Sequence, residues 1–79
     1  MTPGQCRAAR AFLEISQPEL ATAASVGVST VRDFEVGKRA PIAATLTAMK
    51  KTLEAHGARF QDDGETSGVL FTKSAAVQS

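Results

Sequence analysis

The chain has 79 residues, enough for one domain. It is 43% apolar but has only four Phe and neither Trp nor Tyr, so it can fill one small core and not also wall a deep catalytic pocket; a domain this small is marginal and gains from a partner. One Cys and one His exclude an internal disulfide framework and a Cys-rich zinc site, and no nucleophile–base pair or carboxylate dyad points to an enzyme. The net charge of +1 divides into +3 over residues 1–59 and −2 over residues 60–79. A modest basic body suits phosphate binding and an ordinary solvated surface alike. No apolar run approaches the roughly 20 residues of a membrane span, and the opening ten residues lack the apolar stretch of a secretory signal. The expectation is a small, soluble, cytoplasmic module that binds rather than catalyses, with no cofactor and no metal.

The first helix starts at Thr2-Pro3-Gly4-Gln5. Thr2 can accept from the Gln5 N–H, Gln5 can reach back, and Pro3 suits the first helical position. Cys6, Ala9 and Leu13 then share one face. Ser16-Gln17-Pro18-Glu19 is a second capping box, and it restarts the chain as a second helix with a short apolar face of Leu20, Ala21 and Ala24. Ser25-Val26-Gly27 breaks the pattern, with Gly27 the expected place for the sharp turn. A third helix, about 28–36, points Val31 and Phe34 inward and ends with Gly37 in a left-handed cap. Lys38 to Pro41 is a loop. Ile42, Leu46, Met49 and Leu53 form the core stripe of a fourth helix that runs to about Ala55 and stops at Gly57. Residues 58–61 and 68–72 read as strands around a turn containing Asp63-Gly64. Such a ribbon is barely stable alone, so it must pack on the helices or pair with a second subunit. One domain is expected over 1–73, with a disordered tail at 74–79.

Residues 17–34 carry the functional signal: a helix, a short turn with Gly and a second helix. Small Ala21 and Ala24 let the two helices cross, Val26 plugs the turn into the core, and Val31 and Phe34 seat the second helix. That helix then stands proud of the body, able to enter a major groove.

The chain resembles the Xre, or Cro and phage-repressor, class of helix-turn-helix regulators. The resemblance rests on Arg10, Ser16-Gln17-Pro18-Glu19-Leu20-Ala21, Val26, Thr30 to Glu35, Gly37-Lys38-Arg39, Pro41 and Thr45-Leu46, and it covers about residues 2–55. The opening segment and the ribbon at 58–72 also resemble a bacterial subgroup that ends in a strand pair. The implied fold is mostly α: a four-helix helix-turn-helix domain of the Cro/repressor kind followed by a short C-terminal β-ribbon. The implied function is a sequence-specific DNA-binding transcriptional regulator. In that family the residue at Gln17 contacts the DNA backbone and can buttress a recognition residue. Ser29 matches a base-contacting position; Thr30 and Arg32 lie on or near the same exposed helix start. Lys38 and Arg39 match a phosphate-contacting segment. Arg10 and Glu35 resemble an ion pair that ties the first helix to the end of the third.

The chain departs from the family pattern at four places. Gly27 stands where a capping Ser or Thr is usual, and Ser25 replaces the usual turn Gly. Val28 stands where many relatives aim Gln or Arg at bases; valine can touch a thymine methyl but makes no bidentate hydrogen bond. Asp33, on the same side, can accept from cytosine N4 or repel phosphate. Two readings follow. In the first, Gln17, Val28, Ser29, Thr30, Arg32, Asp33, Lys38 and Arg39 form a DNA-binding set, double-stranded DNA is the ligand, and a homodimer joined through the ribbon meets a palindromic site. In the alternative, the same fold is an antiactivator or antitoxin-like adaptor that binds another regulator. Cys6 reads as a core residue. His56 reads as a helix-end carbonyl partner or a solvated side chain. Asp62, Asp63 and Glu65 read as a turn, because they lack calcium-loop spacing.

Overall fold

Both capping boxes form, and they set the first two helices. The computed structural model describes residues 1–72; the expected tail at 74–79 lies outside the described residues. In α1 (Pro3–Leu13) the Thr2 hydroxyl accepts from the Gln5 N–H at 3.1 Å, and Gln5 Oε1 accepts from the Thr2 N–H at 2.8 Å. In α2 (Gln17–Ala24) Ser16 accepts from the Glu19 N–H at 3.1 Å and Glu19 accepts from the Ser16 N–H at 2.9 Å. Those Ser16 bonds hold the Glu19 carboxyl below its usual range. Each box satisfies two N–H groups that a helix start otherwise leaves unpartnered. Two further helices, α3 (Val28–Glu35) and α4 (Ala43–Ala55), lead into an antiparallel pair, β1 (Ala58–Asp62) and β2 (Ser67–Phe71). The molecule is therefore a mostly helical four-helix domain with a C-terminal β-ribbon, as expected. No helix among the described residues is long and apolar enough to cross a membrane.

The sharp turn between α2 and α3 does not fall at Gly27, where the glycine suggested it, but at Ser25, the turn position that the resemblance gave, with Gly27 at the N-cap of α3. Gly27 has an ordinary extended backbone (φ −73°), and the left-handed residue is Ser25, at φ 59°. The reversal must fall where α2 ends, because there the Val26 N–H turns back to the Ala21 carbonyl at 2.9 Å. Serine accepts a conformation that costs an L-residue about 1 kcal/mol. Gly37, at φ 76°, does take the left-handed cap beyond α3.

The core is one cluster of Cys6, Ala9, Leu20, Ala21, Val31, Phe34, Met49, Leu53 and Ala58, with Leu13, Ala24, Val26 and Leu46 half-buried against it. Ile42 does not join its expected stripe and is 74% exposed. It is the N-cap of α4, with extended backbone (φ −63°, ψ 157°), so the helical rotation that aligns Leu46, Met49 and Leu53 does not extend to it.

The ribbon packs on its own helices. Its register pairs Ala58 with Phe71, Phe60 with Val69 and Gln61 with Gly68. Ala58, Phe60, Val69 and Phe71 share the inner face against the core, and Phe71 stacks on Phe12 of α1 with ring centroids 3.9 Å apart. Gln5 does the docking: its side-chain amide donates to the Gln61 carbonyl at 2.9 Å and the Gly68 carbonyl at 3.0 Å. At the turn, the Asp63 carboxylate accepts from the Thr66 and Glu65 N–H groups, which holds its carboxyl low.

Candidate nucleic-acid interface

α3 has two chemically distinct sides. Val31, Phe34 and Glu35 are buried against the body, while Val28, Ser29 and Arg32 lie open. The spacing explains this, since 28 and 32, like 31 and 35, are one helical turn apart. Val28 is 43% exposed. Arg32 Nε sits 3.7 Å from Asp33 Oδ1, a contact between an exposed cation and a half-buried carboxylate that contributes little stability but partly offsets the Asp33 charge.

Lys38 and Arg39 are exposed just past the C-terminus of α3. Their backbone N–H groups both reach the Asp33 carbonyl, at 2.8 and 3.3 Å, while the Gly37 N–H meets the Phe34 carbonyl at 3.0 Å. These bonds fix the basic pair to the helix end, where cations also suit the helix dipole. Ser29, Thr30, Asp33 and Arg39 line an open depression of about 290 Å³ whose far side is Pro41, Ile42 and Thr45.

Glu35 anchors α3. Its Oε2 accepts from Arg10 Nε at 2.6 Å and from the Cys6 thiol at 3.1 Å; its Oε1 accepts from Arg10 Nη2 at 2.6 Å and from the Gln17 amide at 2.9 Å. Arg10 also donates to the Ile15 carbonyl at 3.0 Å, and Arg7 donates to the Glu35 backbone carbonyl. Burial alone raises the Glu35 carboxyl, but the bonds from Arg10, Gln17 and Cys6, with the Arg10 charge, hold it below the usual range. The same carboxylate holds the Arg10 guanidinium up. Burial, reinforced by the Glu35 bond and charge, pushes the Cys6 thiol up to about 12. Cys6 is thus the core residue expected, and among the described residues no buried side-chain polar atom lacks a hydrogen-bond partner.

The eight candidate residues fall into three groups. Val28, Ser29 and Arg32 share the open side of α3. Thr30 and Asp33, half-buried, join Ser29 and Arg39 in the depression, with Lys38 beside it. Gln17 stands apart: its amide buttresses Glu35 and not a residue on the open side of α3. Sequence reasoning missed Arg7, Ile42 and Thr45. Ile42 carried a signal, because it follows Pro41 and precedes the helix; Arg7 carried none beyond its charge. Comparison with protein-family models and with curated proteins gives no match.

Proposed function

We propose that the chain is a sequence-specific DNA-binding transcriptional regulator of the Xre type, acting in the cytoplasm, with α3 in the major groove. The observation that supports it most is the two-sided character of α3. One side is fixed to the body by Val31, Phe34 and the Glu35 cluster, and the other presents Val28, Ser29 and Arg32 beside a tethered basic pair. A rigid helix with short polar and apolar side chains at its start suits base edges, and Lys38 and Arg39 at its end suit phosphates. Gln17 keeps its family position at the start of α2, though its amide is engaged by Glu35. A homodimer fits this reading. A two-fold pair would meet the two half-sites of a palindrome one DNA turn, roughly 34–36 Å, apart.

A second reading has its own support. Val28, Val36 and Ile42, on and beside α3, are 43%, 69% and 74% exposed, which suits a protein-binding adaptor.

An NMR shift titration with duplex DNA from upstream of the chain's own gene, at rising salt, separates the two. The DNA reading expects shifts at Gln17, residues 28–32 and Lys38–Arg39 that fade with salt and persist against scrambled competitor. Arg39→Ala should weaken binding to all sequences alike and lower the salt slope by about one. Absent or wholly nonspecific shifts, with Val28→Asp instead disrupting capture of a partner protein, would replace the DNA reading by the adaptor.

A further inference from the structure

Of Val28, Ser29 and Arg32 on the open side of α3, Arg32 is the residue that can make two hydrogen bonds to one base edge. Val28 has no polar group, and the Ser29 hydroxyl donates or accepts and so suits any base. Arg32 carries a planar fork of donors that matches paired acceptors. A guanidinium alone is promiscuous, since phosphates flank every base. Here it is not alone. Arg32 Nε lies 3.7 Å from Asp33 Oδ1, with the Arg32 side chain 58% exposed and that of Asp33 only 23%. Sequence neighbours on a helix do not face each other, so the contact exists because the long Arg32 side chain bends across α3 toward the carboxylate. The backbone beneath that carboxylate is itself fixed: the Asp33 carbonyl accepts from the Lys38 and Arg39 N–H groups at 2.8 and 3.3 Å.

We propose that Arg32 and Asp33 act as one unit that selects a guanine, with Arg32 as the base contact and Asp33 as its positioning residue. This rests on the DNA reading above and names a base that the site recognises. Asp33 meets the guanidinium on its Nε side, which leaves the outer Nη1–Nη2 edge for a bidentate bond to guanine O6 and N7. The carboxylate also decides what Arg32 does not bind. A phosphate or a thymine O4 beside the guanidinium would face the Asp33 charge and be repelled, whereas the cytosine paired with a guanine presents an N4 amino donor that a carboxylate can accept from. In water an exposed cation is held only loosely by such a contact. With α3 seated in a groove and water displaced, the same attraction strengthens, so the arginine is aimed when the base edge is reached. Asp33 thus lowers affinity for DNA in general, through its charge, and raises selectivity for one base pair.

The test is selection of bound duplexes from a randomised DNA pool by the full chain, followed by anisotropy titrations with the selected duplex and its single-base variants. The wild-type chain should enrich a site containing a G·C pair whose replacement by A·T weakens binding about tenfold. Arg32→Gln should move the preference at that one pair from guanine to adenine, because glutamine matches the N6 and N7 pattern of adenine. Asp33→Ala keeps the backbone carbonyl that holds Lys38 and Arg39, and it should drive two readouts apart. Binding to unrelated duplex should rise, because a charge that opposes phosphates is gone, while the preference for guanine at that pair should fall about threefold. A merely structural Asp33 would instead lower binding to every duplex alike. That result, or an enriched site whose base preferences survive Arg32→Gln unchanged, would overturn the proposal and leave the DNA reading standing. A pool with no enriched sequence would overturn both.

Discussion

α1 holds the two functional ends of this molecule by opposite means. Toward α3 it uses charge: Arg10 grips both oxygens of Glu35, with Cys6 and Gln17 filling the remaining acceptor positions. Toward the ribbon it uses a neutral amide, Gln5, whose nitrogen meets one carbonyl on each strand. A buried ion pair adds little net stability but is costly to break singly; an amide bridge contributes moderately and does not depend on proton concentration. The orientation of α3 is thus sensitive to acid and to point substitution, while the ribbon is held by a milder, pH-insensitive contact.

The largest effect should come from Glu35→Ala. It leaves Arg10, Gln17 and Cys6 without their common acceptor, and the expected loss is about 3 kcal/mol or more in urea unfolding. Gln5→Ala should cost about 1–3 kcal/mol, since it removes half of a capping box and the side-chain bonds that tie one carbonyl of each strand to α1. Its signature differs: amide protection should fall in the ribbon before it falls in α2 and α3.

Acid should separate the two ties more gently. Glu35 titrates below its unfolded value, so its contribution is fully present above the unfolded pKa near ~4.3 and is lost as pH falls through the lower folded value. The stability of Gln5→Ala should keep this acid dependence, while Glu35→Gln should lose Glu35's share of it; equal acid profiles for the two variants would contradict the comparison. The smallest effect should be a gain. Gly27 has N-cap geometry without a cap hydrogen bond, and a Cβ there would sit 3.6 Å from Thr30 Oγ1. Gly27→Ser should therefore stabilise the chain by about 0.5 kcal/mol in thermal unfolding.

The sequence disclosed what is local. The spacings Thr2 to Gln5 and Ser16 to Glu19 are short enough for residue types alone to specify their hydrogen bonds, and the rotation of Leu46, Met49 and Leu53 follows from a single helix. It was less informative where a residue has two jobs. Gln5 is fully explained as a capping residue, so nothing in the sequence discloses that its other amide group spans 56 and 63 positions to the ribbon. Gln17 is similar, since its polarity at a helix start suits solvent, a phosphate or the Glu35 carboxylate. Ile42 and Gly27 misled for a related reason: residue type suggested core and turn, but backbone geometry at the adjacent helix ends decided both. In the candidate interface, the pattern 28, 29, 32 against 31, 34, 35 was legible because a short helix against a core has only one way to divide those positions. The tether from Lys38 and Arg39 to the Asp33 carbonyl was not, because it is made by backbone.

The chain's single thiol, Cys6, is fully buried, bonded to Glu35 and pushed up to about 12, so at neutral pH it holds almost no thiolate to react. A cysteine introduced on the open side of α3 or on the outer face of β2 would then be the one site that takes a spin label or fluorophore. Distances within a copy and between copies can be read by such labels without first removing the native residue, and with it a member of the Glu35 cluster.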